Sequence, residues 1–139
     1  MSDAARVRYL RVALIAVGVI FVLGIYPLAV FWPTGWAWGQ GHSHYAGMIV
    51  GLYATLGVFL VFASQDPMHH TSLIWFTVWS SVVHAAIMAA QTYYDPLERG
   101  HLYGDIPGLV IIAVVLGALT PWHLPAPRRL REAPPVPQT

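Results

Sequence analysis

Long runs of apolar residues dominate the pattern of this chain and recur four times along it. They cover residues 10–32, 45–63, 73–92 and 106–120. A bilayer core is about 30 Å thick, and a helix needs roughly 20 apolar residues to cross it. The pattern therefore predicts an all-α bundle of four transmembrane helices, of which the fourth is the shortest. The runs lack the period-two alternation of β-strands, so strands are not expected.

The basic residues lie mainly at the two ends of the chain and predict its orientation. They are Arg6, Arg8 and Arg11 at the start and Arg128, Arg129 and Arg131 near the end. Cytoplasmic flanks of transmembrane helices are enriched in Lys and Arg, so both termini are predicted to be cytoplasmic in a multi-pass protein of the inner (plasma) membrane. Residues 1–122 are predicted to form one transmembrane domain, and residues 123–139, rich in Pro and Arg, a flexible cytoplasmic tail.

Composition narrows the chemistry further. Hydrophobic residues make up 57% of the chain and charged residues 9%, which is typical of a membrane protein. The net charge of +1 gives no sign of nucleic-acid binding, and the absence of cysteine excludes disulfides and thiolate metal ligands. The expected partners are the lipid bilayer and other membrane subunits or a second copy of the chain.

Two helical stripes indicate how the helices pack. Gly47, Gly51, Ala54 and Val58 form a small-residue stripe along the second helix, where another backbone can approach closely. The third helix carries a polar stripe, predicted to point into the bundle. Its members are Thr77, Ser80, Ser81, His84, Met88 and Gln91. In the first helix, Pro27 and Gly24 predict a kink.

The polar stripe contains the first candidate site. His84 lies near the bilayer midplane, where an ionisable side chain is a functional candidate, and Ser80, Ser81 and Gln91 complete a predicted cofactor-binding set. One interpretation is packing through a hydrogen bond to a serine, threonine or tyrosine. Ligation of haem or a pigment, a lipid-modifying activity and small-molecule transport stay open. No carboxylate lies within a span, which counts against a proton-coupled transporter.

The predicted outer loops contain a second candidate site. His42, His44, His101 and Asp105, with Glu98 nearby, offer imidazole and carboxylate ligands of the kind that Zn²⁺ and Cu²⁺ bind. The spacing is loose, and solvated loop residues near lipid headgroups are the alternative. No specific cofactor is favoured.

The second and third predicted helices share a pattern of residues with a known family. The pattern consists of Leu52, Tyr53, Thr55, Leu56, Gly57, Ala63, Pro67, Ser72, Leu73, Ile74, Phe76, Thr77, Trp79, Ser80, Ser81, His84, Met88 and Gln91. In it, mainly over residues 51–91, the chain resembles a family of small uncharacterised bacterial four-helix integral membrane proteins, a domain of unknown function. The resemblance implies the same four-span fold, but it supplies no activity, cofactor or catalytic residue.

The functional hypothesis therefore depends on the residues themselves. The chain has packing devices and no recognisable catalytic set, so it is expected to be a structural, accessory or small-ligand-binding subunit of a membrane complex. The alternatives are a metal- or cofactor-binding membrane protein that uses His84 or the outer histidines, and a lipid-modifying enzyme or carrier built around His84.

Overall fold

The computed structural model describes residues 2–37 and 44–121, and every regular element in these ranges is helical. The elements are α1 (Asp3–Val19), a π-helical turn (Ile20–Gly24), α2 (Ile25–Phe31), α3 (Pro33–Trp36), α4 (His44–Ala63), a 3₁₀ turn (Pro67–His69), α5 (Thr71–Tyr94), a 3₁₀ segment (Pro96–Tyr103) and α6 (Asp105–Leu119). The predicted all-helical class is confirmed. The predicted tail, residues 123–139, lies outside the described residues.

Three helices are long and apolar enough to cross a membrane. They are the 29-residue stretch Asp3–Phe31 and two 24-residue stretches, Thr71–Tyr94 and Pro96–Leu119. A shorter apolar helix covers Gly47–Ala63. Three to four apolar helices could therefore span a membrane, and they lie where the sequence has its four apolar runs.

The first long helix begins before its apolar run and changes its hydrogen bonding midway. Ser2 caps α1, with its hydroxyl accepting a hydrogen bond from the Ala5 N–H at 3.4 Å. A π-helical turn, Ile20–Gly24, interrupts the helix just before Pro27, and the kink expected from Gly24 and Pro27 stays a prediction. Pro27 has no N–H to donate to the carbonyl one turn earlier, which accounts for a change in hydrogen-bond register at this point.

A close approach of two backbones joins α1 to α4. A Cβ at Gly18 would lie 2.7 Å from the Gly57 carbonyl oxygen, and one at Gly57 would lie 2.6 Å from the Gly18 carbonyl oxygen. The helices can pack this tightly only because both residues lack a side chain. Nothing in the described chain lies within 4 Å of a Cβ placed at Gly47 or Gly51. The two glycines of the predicted small-residue stripe therefore face open space, and Gly57 makes the close intramolecular contact instead.

The helices do not pack in simple sequence order. α4 packs mainly on α1 and its π-helical turn, α5 packs mainly on α6, and α1 contacts α6, whereas α4 and α5 approach each other only slightly. The main core consists of Leu10, Leu14, Val17, Phe21, Leu60, Ile74, Val78, Ala113 and Leu116. A smaller cluster of Ala85, Met88 and Leu109 lies further along α5 and α6.

Arg6 ties the beginning of α1 to the end of α6. Its Nε donates to the Leu119 carbonyl at 2.9 Å, and its Nη2 donates to the carbonyls of Ala118 at 3.0 Å and Thr120 at 3.3 Å. These carbonyls belong to the last turn of a helix, where they have no partner within the helix and where a cation is favoured by the helix dipole. The bonds place the start of α1 and the end of α6 at the same end of the bundle.

Candidate functional site

Two polar side chains meet between α4 and α5, each near the middle of its apolar helix. A hydrogen bond joins Tyr53 Oη in α4 to His84 Nδ1 in α5 at 2.9 Å. The two rings pack edge to face, with centroids 5.7 Å apart, and the Phe21 ring packs edge-on against Tyr53 at 4.9 Å. The hydrogen bond from His84 to a hydroxyl of a neighbouring helix is therefore present, and tyrosine is the partner.

The hydrogens of this pair can be counted. The phenol carries one O–H and a neutral imidazole carries one N–H, so the pair has two donor hydrogens and one bond between its members. Neither side chain has another hydrogen-bond partner in the part of the chain that the structure describes. When the Tyr53 O–H donates to Nδ1, the Nε2–H of His84 has no acceptor within the pair. In the other tautomer His84 donates from Nδ1 and the Tyr53 O–H has no acceptor, so the pair presents one unused donor in either case.

The polar stripe of α5 runs along the edge of its buried face. Ser81 is buried, Ser80 and His84 are half-buried, and Gln91 is exposed. The Ser80 hydroxyl donates to the Thr77 carbonyl of its own helix at 3.2 Å. The prediction that the stripe points inward is thus confirmed for Thr77, Ser81 and Met88. Ser80 and His84 are only partly buried, and Gln91 is exposed.

The second candidate site brings two of its four predicted residues together. His101 is 1% exposed, and its Nδ1 lies 2.9 Å from Asp105 Oδ2 while its Nε2 lies 3.2 Å from Glu98 Oε2. Both ring nitrogens of His101 therefore face a carboxylate. This arrangement fixes the ring orientation and links the 3₁₀ segment to the first turn of α6.

Glycines allow α3 to cover this 3₁₀ segment closely. A Cβ at Gly100 would collide with the Thr34 carbonyl oxygen, and one at Gly104 would collide with the Gly35 carbonyl oxygen. The Trp36 ring reaches α6, where a Cβ at Gly108 would lie 3.5 Å from it. The tight cover explains how a histidine in a loop becomes almost completely buried.

Of the other two predicted metal ligands, only His44 belongs to the described chain, and it does not join this cluster. His44 is the first residue of α4 and is exposed, and His42 lies outside the described residues. Within residues 2–37 and 44–121, no group of three histidine or acidic side chains is arranged to hold a metal ion. The four-residue metal site stays a prediction, with His101 and Asp105 as the pair that the fold brings together.

A separate polar pair lies in the turn between α4 and α5. His69 Nδ1 donates to Asp66 Oδ2 at 2.6 Å, and both side chains are exposed. This hydrogen bond lowers the pKa of the Asp66 carboxyl below its ordinary value of 3.8. The pair closes the turn locally, and nothing in its surroundings points to a binding site.

Tyr53 is the site residue that the sequence reasoning did not select. The signal was available, because Tyr53 is a tyrosine in the middle of an apolar run, far from the interfaces where tyrosines of membrane proteins collect. A buried tyrosine hydroxyl usually has a hydrogen-bond partner. A midspan tyrosine and a midspan histidine on consecutive helices are therefore candidates for pairing.

Comparison with known proteins gives one family match. The model of a family of unknown function (DUF6632) matches residues 4–123, which is most of the chain. No curated protein and no solved structure matches this sequence.

Proposed function

Because the chain belongs to the DUF6632 family of unknown function, we propose a function from its own residues: it is a membrane accessory subunit that holds a small lipid-soluble ligand. The observation that carries this proposal is the unused hydrogen-bond donor of the Tyr53–His84 pair. The subunit is non-enzymatic in this proposal, and its ligand bridges α4 and α5.

In the proposed topology the chain crosses the inner (plasma) membrane four times, and both termini lie in the cytoplasm. Support comes from the Arg residues at both ends of the chain and from the bonds of Arg6 to the last turn of α6, which favour an even number of crossings. The turn between α4 and α5 would then face inward and the 3₁₀ segment Pro96–Tyr103 outward.

The unused donor indicates what the ligand must offer. A polar hydrogen without an acceptor costs several kcal/mol in hydrocarbon, so an acceptor at this position is strongly favoured. A carbonyl oxygen on an otherwise apolar molecule, such as a quinone or an ester, fits both the donor and the surrounding lipid. Gln91, exposed on the same stripe of α5, can both donate to and accept from such a molecule.

The test is copurification of a ligand. The full-length protein is purified in a mild detergent, its organic extract is analysed by mass spectrometry, and its visible spectrum is recorded. We expect a carbonyl-bearing lipophilic molecule near one per protein, which is lost in His84→Phe. Thr55→Val is the matched control, since its hydroxyl bonds to the Gly51 carbonyl of its own helix at 2.9 Å and lies away from Tyr53.

Three outcomes decide between the alternatives. An empty but stable wild-type protein whose His84→Phe variant loses only stability makes the pair a packing device and contradicts the ligand proposal. Loss of a lipid-modifying or transport activity with stability unchanged supports the enzyme or carrier alternative. A visible absorption band of haem or a pigment that disappears in His84→Phe identifies a cofactor.

A metal-binding function is a second candidate, supported by the pairing of His101 with Asp105 at 2.9 Å. Such a site would need at least one further ligand from outside the described residues, such as His42. A ring nitrogen and a carboxylate oxygen about 3 Å apart are the donor types that bind Zn²⁺. Elemental analysis of purified protein, before and after chelation and alongside His101→Gln, tests it. A metal-free sample that keeps its fold contradicts this alternative.

A further inference from the structure

We propose that the inner half of α1 binds an anionic phospholipid, with its phosphate between Arg8 and Arg11 and an acyl chain along α1 into the groove that α1 forms with α4. This site is separate from the Tyr53–His84 pair and does not depend on the proposed ligand there. The three arginines of α1 have different surroundings, and an apolar surface continues from two of them.

The three arginines face different surroundings. The guanidinium of Arg6 is held by the carbonyls at the end of α6. Arg8 and Arg11 are exposed and make no ion pair or hydrogen bond within the described chain. Leu10 and Leu14 belong to the buried face of α1. Arg8 lies on the opposite side of the helix and Arg11 at the flank of the buried face, and both are exposed.

The spacing of Arg8 and Arg11 suits one phosphate. Residues three apart on a helix are neighbours, about 5–6 Å apart at Cβ, so two guanidinium groups can bracket a single phosphodiester with charge-assisted hydrogen bonds. They border a shallow open hollow of about 500 Å³ that is also lined by Asp3, Ala4 and Val7. Asp3 also lines the hollow and adds one negative charge to the two positive ones, which leaves a net charge of +1 among its lining residues.

The depth of the pair matches the headgroup layer. Arg11 is the last charged residue before Asp66, so the two arginines mark the level at which the hydrocarbon begins. Tyr9, 56% exposed beside them, is the kind of amphipathic ring that sits at this level. Arg residues at such positions extend toward the phosphates of the leaflet.

An apolar path continues from the basic pair. Val12, Ile15 and Val19 are exposed on the same side of α1 as Arg8, at steps of three and four residues. Val19 also begins a groove of about 230 Å³ between the two helices, and its other lining residues are Val22, Leu23, Val58, Val61 and Phe62. From Arg8 to Val19 the helix rises about 16 Å, roughly one leaflet of a 30 Å hydrocarbon core. This continuity favours a phospholipid over a free phosphate ion.

The experiment measures lipid binding to the full-length protein by native mass spectrometry in a non-ionic detergent. The probes are phosphatidylglycerol and phosphatidylcholine with matched acyl chains, a short-chain phosphatidylglycerol and inorganic phosphate. We expect preferential binding of long-chain phosphatidylglycerol. Binding should fall by about 25-fold in the Arg8→Gln/Arg11→Gln variant, roughly fivefold for each arginine. Arg99→Gln, at the opposite end of the bundle, should leave it unchanged.

Two further variants serve as controls for membrane insertion and for the role of the groove. Because removal of two arginines can disturb insertion, the Arg8→Lys/Arg11→Lys variant keeps the charge and should show an intermediate loss. Val58→Trp fills the groove and should weaken long-chain binding while short-chain binding is kept. Three results would each overturn the proposal. Phosphatidylglycerol and phosphatidylcholine bind equally, or Arg99→Gln loses as much binding as the Arg8→Gln/Arg11→Gln variant. In the third, inorganic phosphate competes fully and the length of the acyl chain has no effect.

Discussion

The contact between Arg6 and the end of α6 gives the most direct prediction about stability. The change is Arg6→Ala, which removes three hydrogen bonds from a charged donor to helix-terminal carbonyls. The bonds to Leu119 and Thr120 are partly buried, while the bond to Ala118 is exposed. We expect this substitution to destabilise the bundle more than the loss of any other basic residue of α1.

The magnitude follows from the burial of these bonds. A hydrogen bond to a charged group contributes about 1.5 kcal/mol at the lower end of its range, so the two partly buried bonds contribute about 3 kcal/mol, and the exposed bond is counted as zero. Ordering the long side chain costs about 1 kcal/mol. The net loss is about 2 kcal/mol, a factor of about 30 in the unfolding equilibrium.

The assay is a measurement of the free energy of unfolding by steric trapping in a non-ionic detergent, which needs no charged denaturant. Arg8→Ala is the matched control, because Arg8 is exposed and should change stability by no more than about 0.5 kcal/mol. Arg6→Lys keeps the favourable charge at the helix end and should fall between the two. If Arg6→Ala unfolds no more easily than Arg8→Ala, the cap does not stabilise the bundle and the reasoning is refuted.

Two further predictions concern a helix contact and a turn. Gly57→Ala should cost about 1–3 kcal/mol, because the added methyl meets the backbone of α1, whereas Gly51→Ala, which faces open space, should be nearly neutral by the same unfolding measurement. His69→Ala should raise the pKa of Asp66 toward 3.8, read from the carboxyl carbon shift in an NMR titration. Since the folded-state pKa of Asp66 is lowered, its contribution to stability is present above pH 3.8 and disappears as the pH falls through the folded value. An unchanged Asp66 titration in His69→Ala would show that another group lowers this pKa.

The positions of the helices could be predicted from the sequence, but their pairing could not. Apolar runs locate spanning helices because every backbone polar group in lipid must be bonded within a helix. Pairing has no such signal, because lipid tails are as apolar as the side chains and give no hydrophobic drive between helices. Gly47, Gly51 and Gly57 look alike in the sequence, and only the crossing point with Gly18 shows which glycine makes the contact.

The site was predictable where its chemistry is local and not where it depends on distant residues. His84 stands out because an imidazole is rare at midspan, and His101 and Asp105 were both among the predicted ligands. The contact between their side chains depends on how the 3₁₀ segment leads into α6. Arg6, read from the sequence as an orientation signal, has its partners 112 to 114 residues away. No local pattern reveals such a contact before the antiparallel arrangement of α1 and α6 is known.

The contact between α4 and α5 is small, and this bears on both interpretations of the Tyr53–His84 pair, as a packing contact and as a ligand-binding site. Consecutive helices with a short turn usually pack along their length, yet here α4 packs on α1 and α5 on α6. The Tyr53–His84 bond is a side-chain hydrogen bond that links α4 to α5. Such bonds between membrane helices contribute only about 0.6 kcal/mol on average. A bond this weak holds the helices poorly, and an acceptor on the proposed ligand could replace it at little cost. A modest packing role and the proposed ligand-binding role are therefore compatible with the same geometry.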